Sequence, residues 1–133
     1  MTPEGLTICA SSRGPDETLR RLEDAINSRG MTVFARIDHA AAAAEVGLRL
    51  RPTTVLIFGS ARAGTPLMQT AQTMGIDLPL KALVWQDAES KTWIAYNDPT
   101  WLAKRHDVEA SSAVAAMTIG LVAISQDAGA AAG

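Results

Sequence analysis

At 133 residues the chain supports one domain and hardly two, and 47% hydrophobic residues is enough to build a core. Its net charge of −2 excludes the broad positive field that recruits nucleic acid or anionic lipid. A single cysteine, Cys9, excludes both an intrachain disulfide framework and a multi-cysteine zinc site.

The first five residues carry an acid and no positive flank, and the apolar stretch over 6–10 is too short for the core of a signal peptide. The longest apolar run, over 113–124, falls short of the roughly 20 residues that a spanning helix needs. With one thiol and no export signal, the cytoplasm is the expected compartment.

Leu6-Thr7-Ile8-Cys9-Ala10 predicts a first strand, ended by Ser11-Ser12-Arg13-Gly14-Pro15. A helix follows, capped by Gly14 or Asp16, with Glu17 in the first turn where the dipole favours an acid. Leu19, Leu22 and Ile26 recur on one face at helical spacing, and Gly30 stops it. Residues 31–37 predict a second strand, and Asp38-His39 opens an alanine-rich turn or two of helix ended by Gly47. After Pro52, Thr53-Thr54-Val55-Leu56-Ile57-Phe58 is a β-branched apolar strand stopped by Gly59. Pro66 is expected at the first position of a short helix over 66–74.

Residues 81–87 and 92–97 predict two strands, and the short polar link between them makes an antiparallel hairpin. Asp98-Pro99 opens a helix over 100–105. Ser111-Ser112 caps the last helix, where Val114, Met117, Leu121 and Ile124 share a face. The closing Ala128-Gly129-Ala130-Ala131-Ala132-Gly133 reads as a flexible tail, which leaves a single domain over 1–127. This order gives an α+β fold, a mostly antiparallel sheet with helices packed on one face.

Several constellations carry chemistry. In Asp38-His39 an imidazole stands beside a carboxylate, as general acid–base catalysis would require, although an aspartate before a helix is also an ordinary cap. His106 ends a helix, where a cation suits the dipole. No His-x-x-His or Cys-x-x-Cys spacing is present, so no metal site is expected. Gly59-Ser60-Ala61-Arg62-Ala63-Gly64-Thr65 resembles a phosphate-binding loop without its lysine. Nucleotide hydrolysis is therefore not expected, while backbone amides and Arg62 could still hold one anion at the helix start. Lys81 follows an apolar stretch, and Tyr96 lies at the rim of the expected core. Trp85, Trp93 and Trp101 are the large side chains available to a pocket or an interface.

Phe34-Ala35-Arg36-Ile37-Asp38-His39, Leu50-Arg51-Pro52-Thr53, Leu56-Ile57-Phe58-Gly59 and Gly64-Thr65-Pro66-Leu67-Met68 occur in this order. Asp77-Leu78-Pro79-Leu80-Lys81, Tyr96-Asn97-Asp98-Pro99 and Leu102-Ala103-Lys104-Arg105-His106 follow. Together, over roughly 5–122, they resemble the bacterial and archaeal family called domain of unknown function 302. The resemblance implies a TATA-binding-protein-like arrangement of strand, helix, four strands and helix, and a homodimer. It also points to His39, Lys81, Tyr96 and His106 as ligand-binding residues. The leading expectation is a soluble domain that binds a small molecule, with no cofactor assigned. The alternatives are a small enzyme using His39 as general acid or base with Asp38 orienting it, and an interaction module working through the tryptophan-bearing hairpin.

Overall fold

A computed structural model describes residues 2–131, and buried and half-buried positions alternate along its central strands. β3 (Thr53–Gly59) buries Thr54, Leu56 and Phe58, and β4 (Leu80–Gln86) buries Leu80, Ala82 and Val84. A period of two places each set on one face of its strand, and pairing brings the sets together. β1 (Leu6–Ser11), β2 (Thr32–Asp38) and β5 (Thr92–Asn97) complete a five-stranded sheet of order β1-β5-β4-β3-β2. All four pairings are antiparallel.

Two helices cover that face. α1 (Pro15–Ser28) begins with proline at its first helical position, and Leu19, Leu22 and Ile26 turn toward the sheet. Gly30 ends it at φ +77°, a left-handed conformation that costs glycine nothing. α5 (Ser112–Gly129) is capped by Ser111, whose Oγ accepts from the Val114 amide, and it contributes Leu121, Ile124 and Ala128 to the same core. Burying side chains such as Leu22, Ile26 and Phe58 completely contributes about 1.5–3 kcal/mol each. The α+β fold with helices on one face is thus observed as expected. α5 has the length and apolarity of a membrane span, yet here its buried face is part of a protein core.

A second core lies beside the first. It joins α3 (Ala61–Thr70), the 3-10 helix Gln72–Ile76, α4 (Pro99–Arg105) and the start of α5 through Leu67, Met74, Leu102 and Val114. Polar contacts lock its outer side. Asp77 accepts from Arg105 Nη1 at 2.9 Å and meets His106 Nε2 at 2.5 Å, and His106 Nδ1 lies 2.8 Å from Thr73 Oγ1. Leu78 and Met117 touch both cores.

Two expectations are corrected. The helix expected to start at Pro66 starts at Ala61, because Ser60 caps it by accepting from the Ala63 amide, and Pro66 lies inside it. The tail expected from Ala128 is not found at that residue. Ala128 and Gly129 are buried in α5, Ser12 N–H donates to the Gly129 carbonyl at 2.9 Å, and Arg13 Nε donates to the Ala130 carbonyl at 2.7 Å. Residues 132–133 of that expected tail lie outside the described residues.

The β4–β5 hairpin is organised by Asp87. One carboxylate oxygen accepts from the amides of Glu89 and Lys91 at 2.9 and 3.0 Å, and the other accepts from Trp93 Nε1 at 2.8 Å. The indole bond, with the backbone bonds, holds the carboxyl below its ordinary value of 3.8. A depressed carboxyl stabilises the fold above its unfolded-state value, and that contribution fades as pH falls through the folded-state value. We therefore expect Asp87→Asn to unfold at lower urea than the native protein at pH 7, with the gap closing toward pH 2. An equal gap at both pH values would show that the charge is not involved.

Candidate functional site

β3 ends at Gly59, and the extended Ser60 turns the chain directly into α3. Where this turn faces α5 and the start of β4, the two cores do not close on each other. A cavity of about 520 Å³ remains, within the roughly 300–1,000 Å³ range of small-molecule sites. Its deep wall is Phe58, Leu80 and Leu121, all buried. Met31, Met68, Leu78 and Met117 line its sides, with Phe34 at the margin. Methionine suits such a wall because its unbranched, polarisable side chain adapts to irregular ligands.

Two helical glycines keep the space open. A Cβ on Gly64 would meet Leu78 Cδ1 at 3.6 Å and Met68 Cε at 3.9 Å, both ordinary contacts. A Cβ on Gly120 would meet only Arg29 Nε, at 3.9 Å. Neither position has a backbone conformation or a steric conflict that demands glycine. Glycine inside a helix costs about 1 kcal/mol relative to alanine. At Gly120 the missing side chain leaves room in the cavity.

The charged side chains lining this cavity are both basic. Arg29 is the C-cap that follows α1, and Arg62 lies in the first turn of α3. No carboxylate lines it, and neither arginine forms an ion pair among the described residues.

The four residues singled out from the sequence are distributed around the fold. His39 is exposed at the first position of α2 (His39–Glu45), and the neighbouring Asp38 carboxylate accepts from the Ala41 amide at 2.9 Å as a cap. Lys81 pairs with Ile57 on the face of the sheet opposite α1 and α5. Tyr96 lies on the covered face, opposite Ala82 and Thr7, where burial pushes its hydroxyl above the usual range. His106 belongs to the clamp on Asp77. These side chains are not brought together, and none of the four lines the cavity.

Arg29, Met117 and Gly120 escaped sequence reasoning. Arg29 looks like any solvated helix end, while Gly120 did offer a signal as a glycine in mid-helix without a turn to make. Arg62 was visible as an anion candidate, and the structure sets it at the cavity. Trp85 and Trp93 pair across the hairpin on the uncovered face. Trp101 lies over Gly5, where its ring leaves no room for a Cβ. Cys9 is half-buried on the covered side, and burial raises its thiol pKa, which favours the unreactive protonated form.

Over 111 residues, 84% of this chain, the sequence is 48% identical to a protein of Brucella suis biovar 1 (strain 1330) named Fluoride-specific ion channel FluC 1. A protein of the same name from Brucella abortus biovar 1 (strain 9-941) matches at 48% over the same length. These matches cover 44% and 41% of those proteins, so the chain spans less than half the length of the curated relatives it matches. The crystal structure of an uncharacterised conserved DUF302 protein from Bacillus stearothermophilus shares the fold at a TM-score of 0.85. That likeness covers 95% of this chain and 99% of the other, at 23% identity. The family model described as Domain of unknown function DUF302 matches residues 8–124. The chain belongs to the DUF302 family.

Proposed function

We propose that this domain binds a small molecule with a substantial apolar body in the cavity between α3, α5 and the junction of β3 with β4. The observation that carries the reading is an apolar space of about 520 Å³ kept open at the meeting of two cores. Burial would ordinarily close such a space, because an unfilled cavity loses packing contacts. The enzyme alternative has less support: Asp38 is engaged as a cap, and His39 is exposed outside the cavity. Among the described residues one helix, α5, is long and apolar enough to span a membrane, and its buried face packs in a protein core. We therefore assign the fluoride channel named in the Brucella relatives to the part of them that this chain does not span. The lone thiol suits a reducing compartment such as the cytoplasm.

The uncovered sheet face favours a second reading, the homodimer. Leu6 and Ile8 of β1, Val55 and Ile57 of β3, Leu83 and Trp85 of β4, and Trp93 of β5 point away from α1 and α5. All are half-buried. Lys81 and the Asp87 carboxylate bonded to Trp93 are the charged groups at this patch, and a surface with so few charges is compatible with self-association about a two-fold axis.

Two measurements test these readings. N-phenyl-1-naphthylamine, a neutral fluorophore, should bind one per protein, and Gly120→Leu should weaken it at least tenfold with thermal unfolding unchanged or raised. Gly120→Ala should add about 0.5–1 kcal/mol of stability while also weakening the probe. If Gly120→Leu fails to fold, Met117→Trp fills the same space. No binding to the native protein would end the cavity reading. In sedimentation, the native chain should run as a dimer and Leu83→Glu as a monomer. A native monomer at 100 μM would dismiss the dimer without touching the cavity.

A further inference from the structure

We infer that the ligand is an amphipathic anion, a hydrocarbon acid whose carboxylate or phosphate group lies between Arg29 and Arg62 while its chain fills the cavity. This rests on the cavity reading and adds to it the chemistry of the head group.

The first support is the distribution of charge. Arg13, Arg20, Arg36 and Arg105 each reach a carboxylate, and Arg21 donates to the Asp127 carbonyl. Arg29, Arg49, Arg51 and Arg62 have no acidic partner among the described residues, and of these Arg29 and Arg62 are the two that line this apolar cavity, which no carboxylate lines. Arginine also offers a planar set of donors suited to carboxylate and phosphate.

The second support is position. Arg62 belongs to the first turn of α3, where backbone N–H groups lack intrahelical partners and the helix dipole is positive. Arg29 Nε lies 3.9 Å from the place where a Gly120 side chain would begin, which sets this guanidinium against α5 beside the cavity. Both arginines are exposed, whereas Phe58, Leu80 and Leu121 are buried at the deep wall. The gradient from cation to hydrocarbon matches the gradient along an acid with an alkyl chain. A nucleotide fits less well, because its base edges would find few polar side chains beyond Ser60 and Thr65.

The test uses decanoate and decanol below their aggregation concentrations, with the intact chain and displacement of N-phenyl-1-naphthylamine as readout. Decanoate should bind one per protein and at least tenfold tighter than decanol, and added salt should weaken decanoate alone. Arg29→Gln and Arg62→Gln should each lower decanoate affinity about tenfold while leaving decanol and the fluorophore unchanged. Equal affinity for acid and alcohol, or an unchanged preference in the double variant, would overturn the anion while fluorophore binding kept the cavity. Loss of fluorophore binding in the native protein would instead remove the cavity reading itself. Co-sedimentation with phosphatidylglycerol vesicles, combined with no uptake of free decanoate, would also overturn the proposal and identify a bilayer surface as the source of the anionic head.

Discussion

The packing of α1 and α5 against each other and against a single face of the sheet is the contact from which the other features follow. It fixes which side of every strand is apolar and fully buried. With both long helices on one side, the opposite face keeps leucine, isoleucine, valine and tryptophan only half-buried. Antiparallel sheets tolerate such asymmetry because hairpins need no crossover helix on the second face. The uncovered face and the cavity are thus separate results of one arrangement, on opposite sides of the sheet.

The cavity arises because α5 serves two cores. Its C-terminal half, through Leu121, Ile124 and Ala128, packs on the sheet with α1. Its N-terminal end, through Val114, packs with α3, α4 and the 3-10 helix. Met117 lies between them and touches both, as does Leu78 at the approach to β4. A short helix such as α3 can be placed independently of the sheet because its own partners, Met74 and Leu102, belong to the second core. Its position is secured remotely, through the contacts of Arg105 and His106 with Asp77. This division of labour leaves room at the junction without weakening either core.

The fold was legible because its signals are local and periodic. The spacing of Leu19, Leu22 and Ile26, the β-branched run of β3, and the caps Asp38 and Ser111 all identified their elements. The errors fell where tertiary packing overrides propensity. Gly64 and Pro66 argue against a helix starting at Ala61, yet the Ser60 cap and burial of Leu67 in the second core produce one. Ala128 and Gly129 look like a tail because neither buries much surface. Their burial depends on β1 lying alongside, where Ser12 and Arg13 reach the end of the helix. The site was less legible, since a cavity is made of absences. Histidines, lysine and tyrosine announce chemistry by residue type, but the spaces beside Gly64 and Gly120 acquire meaning only once α3 and α5 face each other.

That difference bears on how the domain should be compared with its longer relatives. A site built from chemically distinctive residues can be followed along a sequence by those residues. The cavity proposed here as a site, built from glycine, methionine and two arginines, is defined by volume and by the sign of its charge. The quantities to compare across DUF302 chains are therefore the side-chain size at positions 64 and 120 and the charge at positions 29 and 62. A chain with large side chains at both glycine positions would retain both cores while filling the junction between them. Such a chain would have the same fold without the cavity, because the sheet and its two helices require nothing from that space.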